Sequence, residues 1–496
     1  MESSFLKLNN PGSAPMNTLP CLPFPEFHRT VIDAIRNNGW HVSSFFAMPE
    51  QNDGFRLIAI LTDDSDPSIR LSSTRVEKSY ASLTCDCAQF HWFEREIHEQ
   101  TGIVPKGHPW LKPIRFTAGN DGNHPGVTDY FTLHGSAAHE VAVGPVHAGV
   151  IEPGHFRFQC MGEDVYSLEI SLGYQHRGIE NLLRGGPDKR TLHVMETAAG
   201  DTSTSSAAAY CQILEALDPA SRVSDRAQAI RAIAWELERI ANHTGDLGAL
   251  AGDVAYLPTA SYCGRIRGEF LNMTATICGN RFGRGIIVPG GIGFDLEPER
   301  IQRLCDWLDR VTPELNNALG LMFDAPSVLD RLENTGTVTN KTAREIGLVG
   351  VAARAAGIRR DIRKDHPYGW YRNAAPAVCC TGSGDVFARA EIRRRELRES
   401  LRFVRELLPA LPDAAPGTLP EKRMPDTIAV SLVEAWRGEL CHTAVTGADG
   451  SFAAYKIVDP SFHNWFGLAM ALRGEQISNF PICNKSFNLS YCGHDL

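Results

Sequence analysis

Four short strings between Gly144 and Ser203 hold the side chains best suited to proton and electron chemistry. They are Gly144-Pro-Val-His147, Glu152-Pro-Gly-His155, His176-Arg177-Gly-Ile-Glu180 and Glu196-Thr-Ala-Ala-Gly-Asp-Thr-Ser203. Histidine ordinarily titrates near neutrality, so His147 and His155 are candidates for holding and delivering a proton. The third string packs an imidazole, a permanent cation and a carboxyl into the start of a helix, and a desolvated carboxyl there is tuned toward neutral pH. The last string is a run of small residues that enters a long helix. Together the four read as the entrance to a chamber of the kind that houses an active site.

Several elements must position this chamber. Residues 1–22 are polar and proline-rich and read as a loose lead-in. Residues 23–116 read as a small α+β domain, with an amphipathic helix over Phe27–Asn38 and strands at Arg56–Thr62 and Ser68–Ser72. Residues 117–137, rich in Gly, Asn, Asp and His, read as a linker. The rest, 138–496, begins with a strand at Ala138–Val143 and is dominated by apolar stripes of helical spacing near 225–247, 297–321 and 385–408. Such stripes bury only against one another, so the fold class is α+β, a small α+β domain followed by a mainly helical bundle with peripheral strands. Glu434–Leu440 and Phe452–Val458 read as paired strands. Glu236 and Arg239, three apart on a helix, read as a structural ion pair.

Composition narrows the function. The 496 residues carry 43% hydrophobic and 22% charged residues, ordinary for a globular protein. A net charge of −9 and the lack of a basic run argue against nucleic-acid binding. No apolar window is long enough for a membrane span, and the first twenty residues lack the pattern of a secretion signal. Thirteen cysteines are scattered without a Cys-x-x-Cys, so most read as small core residues, and this chain has no cluster-binding pattern of its own.

The order and spacing of the strings resemble the large subunit of nickel–iron hydrogenases of the formate-hydrogenlyase type (group 4) and the 49-kDa-type subunit of respiratory complex I. The resemblance extends through Asp225-Arg-Ala-Gln, Glu236-Leu-x-Arg239, Gly384-Asp-Val-x-Ala-Arg389, Glu434-x-x-Arg-Gly-Glu439 and Asp459-Pro-Ser-Phe-His-Asn464. Ahead of it, Trp92-x-Glu-Arg-Glu96 and Gly107-His-Pro109 resemble the close of the 30-kDa-type subunit of complex I, although Trp110 stands where relatives usually carry a polar residue.

In the family's nickel–iron members two cysteine pairs hold the metals, because soft thiolates stabilise low-valent nickel and iron and bridge them. The resemblance places Ala199 and Thr202 at the first pair and Ser490 and Gly493 at the second, with Cys492 one residue off. Alanine and glycine have no donor, and a hydroxyl is a hard, weakly acidic one. The expectation is a chain that binds no nickel–iron centre and no metal, and its end at Leu496 is in keeping with no cleaved tail.

Complex I uses the same chamber to bind a quinone headgroup beside a partner's iron–sulfur cluster. The resemblance makes His147, and less directly His155, the quinone-binding residues, with His147 and Glu180 as the catalytic pair. His176, Arg177 and Glu180 would lie toward the partner's [4Fe–4S] cluster and the proton path; a nearby cation raises a cluster's potential. Leu192, where relatives have tyrosine, and Thr197, where they have arginine, depart from that pattern. The expected function is that of an oxidoreductase subunit passing electrons from a partner's cluster to a quinone or similar acceptor, as in NADH:quinone oxidoreductases. Its expected partners are an iron–sulfur small subunit, ion-pumping membrane subunits and other subunits of a complex I-like assembly, on the cytoplasmic face of the inner membrane. The alternatives are a non-catalytic scaffold or coupling subunit and, disfavoured by the missing cysteines, an active hydrogenase.

Overall fold

The computed structural model describes residues 4–50, 54–117, 124–147 and 152–496. The N-terminal sheet has the order Leu6–Leu8, Asp66–Val76, Phe55–Asp63, His41–Pro49, with Cys21–Leu22 paired parallel to Asp66–Val76. Helix Phe24–Arg36 carries a proline in its first turn, where the missing N–H loses nothing. It buries Phe27, Val31 and Ile35 against the sheet. Helix His91–Thr101 ends at Gly102, whose positive φ of 75° closes the turn.

Of the loose lead-in expected over residues 1–22, residues 1–3 lie outside the described residues, and the rest contains ordered strands. Leu6–Leu8 joins the N-terminal sheet, while Gly12–Pro15 pairs with Thr427–Ala435 in a second sheet far along the chain. Between them buried Asn10 donates to the carbonyls of His366 and Leu432 and accepts from the Leu432 amide. A short polar run bounded by prolines looks unstructured in sequence, because its partners lie hundreds of residues away.

The larger part follows the helical reading. Helices Asp225–Asp253, Leu257–Cys278, Pro298–Phe323 and Val386–Leu407 pack as the bundle, with Ser203–Leu217 laid across the second sheet. Ser224 caps the first of these, its side chain accepting from the Ala227 amide. Ala138–Val143, His155–Met161 and Asp164–Ser171 form a separate antiparallel sheet. No helix among the described residues is long and apolar enough to cross a membrane.

The strand expected at Glu434–Leu440 is a correction. Strands Thr427–Ala435 and Gly438–Thr446 flank a tight turn at Trp436 and Arg437, with Ala435 paired to Gly438. Phe452–Val458 then pairs with Gly438–Thr446. Gly438, at φ 140°, lies against the backbone of Gly350, where a β-carbon would stand 2.8 Å from the Gly350 Cα. That contact, invisible in sequence, sets the turn and aims Arg437.

Candidate functional site

Two loops face each other under that hairpin tip. The first is the turn between helices Thr191–Glu196 and Ser203–Leu217; the second opens helix Tyr491–Asp495. Ala199 and Thr202 are buried in the first, and the Thr202 hydroxyl donates to Asp201 Oδ1 at 3.2 Å. In the second, Ser490 is a helix cap, its Oγ accepting from the Gly493 amide at 2.9 Å. A β-carbon on Gly493 would stand 2.7 Å from Asp459 Cγ, so this position has no room for a ligating side chain. The Cys492 sulfur lies 3.4 Å from Ser490 Oγ. Burial first, then the Glu152 carboxylate, push its thiol up to about 11, so it is a thiol at neutral pH.

Arg437 fastens the loops. Its two terminal nitrogens donate to the two Asp201 carboxylate oxygens at 2.7 and 2.8 Å, and its Nε donates to the Asn488 carbonyl at 2.6 Å. The guanidinium lies over the Trp436 ring, 3.8 Å from its centroid. Trp436 and Asn242 both donate to the Asp201 carbonyl, at 3.0 and 2.8 Å. Burial pushes the Asp201 carboxyl up, but Arg437 outweighs it and holds the group below its usual range. Among the described residues no three His, Cys, Asp or Glu side chains converge as a metal site.

Arg177 makes a second bridge on the exposed side. It donates to the carbonyls of Thr197 and Ala198 in the first loop, at 2.9 and 2.8 Å, and of Cys492 in the second, at 3.0 Å. His176 Nδ1 lies 2.8 Å from the Asp495 carbonyl, an acceptor, so that nitrogen carries the proton. The Asp495 carboxylate accepts from the amides of Gly173 and Gln175. Residues His176 to Ile179 are thus sewn to the second loop and the Leu496 carbonyl behind it.

Glu180 is an ion-pair partner at a junction of the two parts of the chain. Its Oε1 accepts from Lys456 Nζ at 2.9 Å and from the Ile457 amide at 3.0 Å, and Arg115 stands 3.8 Å from Oε2. Lys456 and Arg115 both also pair with Glu96, and Arg115 reaches the His494 carbonyl. Burial pushes the Glu180 carboxyl up, but Lys456 and then Arg115 overcome it and hold it at about 2. In this arrangement it is a fixed anion rather than a carboxyl tuned to neutrality.

The two loop histidines point to different places. His147 Nε2 is 3.1 Å from the Gly154 carbonyl and must donate, which leaves Nδ1 as a lone pair. Gly154 packs on Tyr491, so His147 sits beside the second loop. At Gly144, φ 82°, a β-carbon would meet His147 Cε1 at 2.8 Å, so only glycine lets the ring fold back. His155 Nδ1 likewise donates to the Gly144 carbonyl at 3.1 Å, but its ring turns toward Tyr130. Its Nε2 is buried without a partner, and burial holds the imidazole below its ordinary range.

The structure therefore brings the loop of Ala199 and Thr202 against the loop of Ser490 and Gly493, with Arg177 bridging the two, His147 at Gly154 next to Tyr491, His176 and Glu180 on the far side of the second loop, and His155 aside. Reading by residue type passed over Asp201 and Arg437. The signal for Arg437 was the Trp-Arg-Gly turn chemistry; for Asp201 it was an acidic residue inside an otherwise small, buried run.

Comparison with known proteins supplies the lineage. The family described as the 30 Kd subunit of respiratory-chain NADH dehydrogenase matches residues 25–133, and the 49 Kd subunit family matches residues 253–423. The carbon monoxide-induced hydrogenase of Rhodospirillum rubrum is 29% identical over 71% of this chain and 98% of its own length. Formate hydrogenlyase subunit 5 of Escherichia coli is 26% identical over 86% and 78%. An NADH-quinone oxidoreductase subunit of Herpetosiphon aurantiacus is 29% identical over 71% and 96%. In fold, the chain matches one from the membrane-bound sulfane sulfur reductase, an archaeal respiratory membrane complex, with a TM-score of 0.68 at 23% identity, over 73% of this chain and 99% of that one.

The chain thus fuses a domain of the complex I 30-kDa type to one of the 49-kDa type, and its homologues include group 4 hydrogenase large subunits and NADH-quinone oxidoreductase D subunits.

Proposed function

We propose that this chain is the large subunit of a membrane-associated, complex I-like oxidoreductase that works without a nickel–iron centre. It takes electrons from a [4Fe–4S] cluster on a small partner subunit and passes them to a quinone or a similar small acceptor. The observation that supports this reading is the donor set of the two loops: Ala199, Thr202, Ser490 and Gly493, which the resemblance aligns with the metal ligands, carry no thiolate, and the Cys492 sulfur beside Ser490 is a protonated thiol. Such a set offers no pair of thiolates to bridge two metals.

With Nε2 donating to the Gly154 carbonyl, Nδ1 is the His147 nitrogen left for a ligand. It hydrogen-bonds a quinone carbonyl only once protonated, and that imidazolium is the form that delivers a proton on reduction. Binding near ion-pumping membrane subunits on the cytoplasmic face of the inner membrane follows the relatives' assemblies.

A second reading, a scaffold that keeps fold and docking surfaces only, is favoured by Leu192 and Thr197 and by the fixed charge of Glu180. Purified complex is assayed with reduced ferredoxin or NADH and a quinone analogue. Turnover that falls at least tenfold in His147→Ala, with assembly intact, supports electron transfer in this chamber. No turnover in the wild type, or equal turnover in both, supports the scaffold.

A further inference from the structure

Beneath the hairpin that carries Arg437 lies a closed cluster of charges. Glu236, Asp361, Glu396 and Glu434 meet Arg239, Arg354 and Arg363, each at 2% exposure or less. Arg363 pairs with Asp361 and Glu236, and Arg354 pairs with Glu396 and Glu434, every contact at 2.7–2.9 Å. Arg239 lies 3.3 Å from Glu236 and 3.6 Å from Glu396. Four carboxylates thus face three guanidiniums. The histidine at the cluster, His243, sits 2.9 Å from Glu396, with its Nδ1 buried and unpartnered, and the hydroxyls of Tyr371 and Tyr368 lie at Glu236 and the Glu434 amide.

An uncompensated charge in such a setting costs several kcal/mol, and a buried group takes up a proton instead. Two holders are available. Burial keeps the His243 imidazole below its ordinary range, even with Glu396 pulling the other way, and Arg393 and Arg239 also face it. Glu434 is placed differently. Glu396 and Asp361 are each bound by at least two guanidinium nitrogens, and Glu236 by two arginines, Tyr371 and Ser400. Glu434 accepts from only one arginine nitrogen and from the Ile362 amide. Burial, and Asp361 beside it, push its carboxyl up against the pull of Arg354. Glu439, across the hairpin, is spent on Arg360, and the Tyr368 hydroxyl accepts from the Glu434 amide.

We propose that this cluster is a proton-binding site, holding one proton at neutral pH on the Glu434 carboxyl. The site reaches toward the chamber. Three residues on, Arg437 grips Asp201, and the Trp436 ring between them packs edge-on against His243 with centroids 6.0 Å apart. The inference stands apart from the electron-transfer reading, because it concerns charge balance in the folded chain whether or not the chamber turns over.

Infrared spectroscopy of the purified complex at neutral pH reads the C=O stretch of protonated carboxyls. One component is expected to vanish in Glu434→Gln, an uncharged near-isostere of the acid that should fold and melt like the wild type. The same component is expected to vanish in Glu396→Gln, where one fewer carboxylate lets Glu434 ionise. A spectrum unchanged in Glu434→Gln overturns the proposal, as does failure of that variant to fold. Retention of the component in Glu396→Gln overturns the charge-balance argument.

Discussion

Arg437 and Asp201 form a two-point ion pair, 2.7 and 2.8 Å, between the tip of the 427–446 hairpin and the loop that carries Ala199 and Thr202. The pair ties the hairpin tip to the first loop, and the Arg437 bond to Asn488 carries the tie to the second. A guanidinium buried without its carboxylate costs about 3 kcal/mol or more. Asp201→Asn is therefore expected to destabilise the protein by about that amount, and Arg437→Met by less, because the Asp201 carboxylate it leaves behind is about a third exposed and can be hydrated, whereas the guanidinium is buried. Denaturant melts of both variants check the order.

Glu180 sets an acid limit on stability. Its folded pKa, about 2, is depressed below the ordinary glutamate value of about 4.3, so its contribution is complete above about 4.3 and is lost as pH falls toward 2. The difference corresponds to roughly 3 kcal/mol. Wild type and Glu180→Gln are expected to differ in stability by that order at pH 7 and to converge as pH falls toward 2. A gap that stays constant with pH would contradict the ion-pair account.

Arg177 spends its guanidinium on carbonyls of both loops. Arg177→Ala is expected to raise hydrogen exchange at the amides of residues 491–496 with only about 1 kcal/mol lost overall, since the side chain is exposed. Arg177→Lys, with a single donor point, should fall between the two.

Asn10 joins the two sheets through three hydrogen bonds to a single strand and a loop. Asn10→Ala leaves buried backbone groups unpaired and should cost about 2 kcal/mol. Limited proteolysis within residues 4–22 should accelerate accordingly.

Legibility in the sequence followed range. The long helices announced themselves by period, and helices 225–253, 298–323 and 386–407 form close to where apolar spacing puts them. Ser224 and Asp385 cap two of them, as their side chains suggest. What depends on distant partners was hidden. The strands at residues 6–8 and 12–15 make sense only beside residues 69–71 and 427–430. The turn at Trp436–Arg437 was masked by strand-like composition on both sides. At the site, residue type told which positions lack a thiolate, but only geometry reveals that His155 faces Tyr130 while His147 faces the second loop.

The central claim is that this chamber is closed by an arginine–carboxylate pair and carries no bimetallic centre. Its most direct test is the nickel content of the complex, purified from nickel-supplied cells that also make an active nickel–iron hydrogenase. The account predicts nickel at background level in the complex and stoichiometric nickel in the hydrogenase from the same culture. Stoichiometric nickel in this chain, retained after chelation, would contradict it.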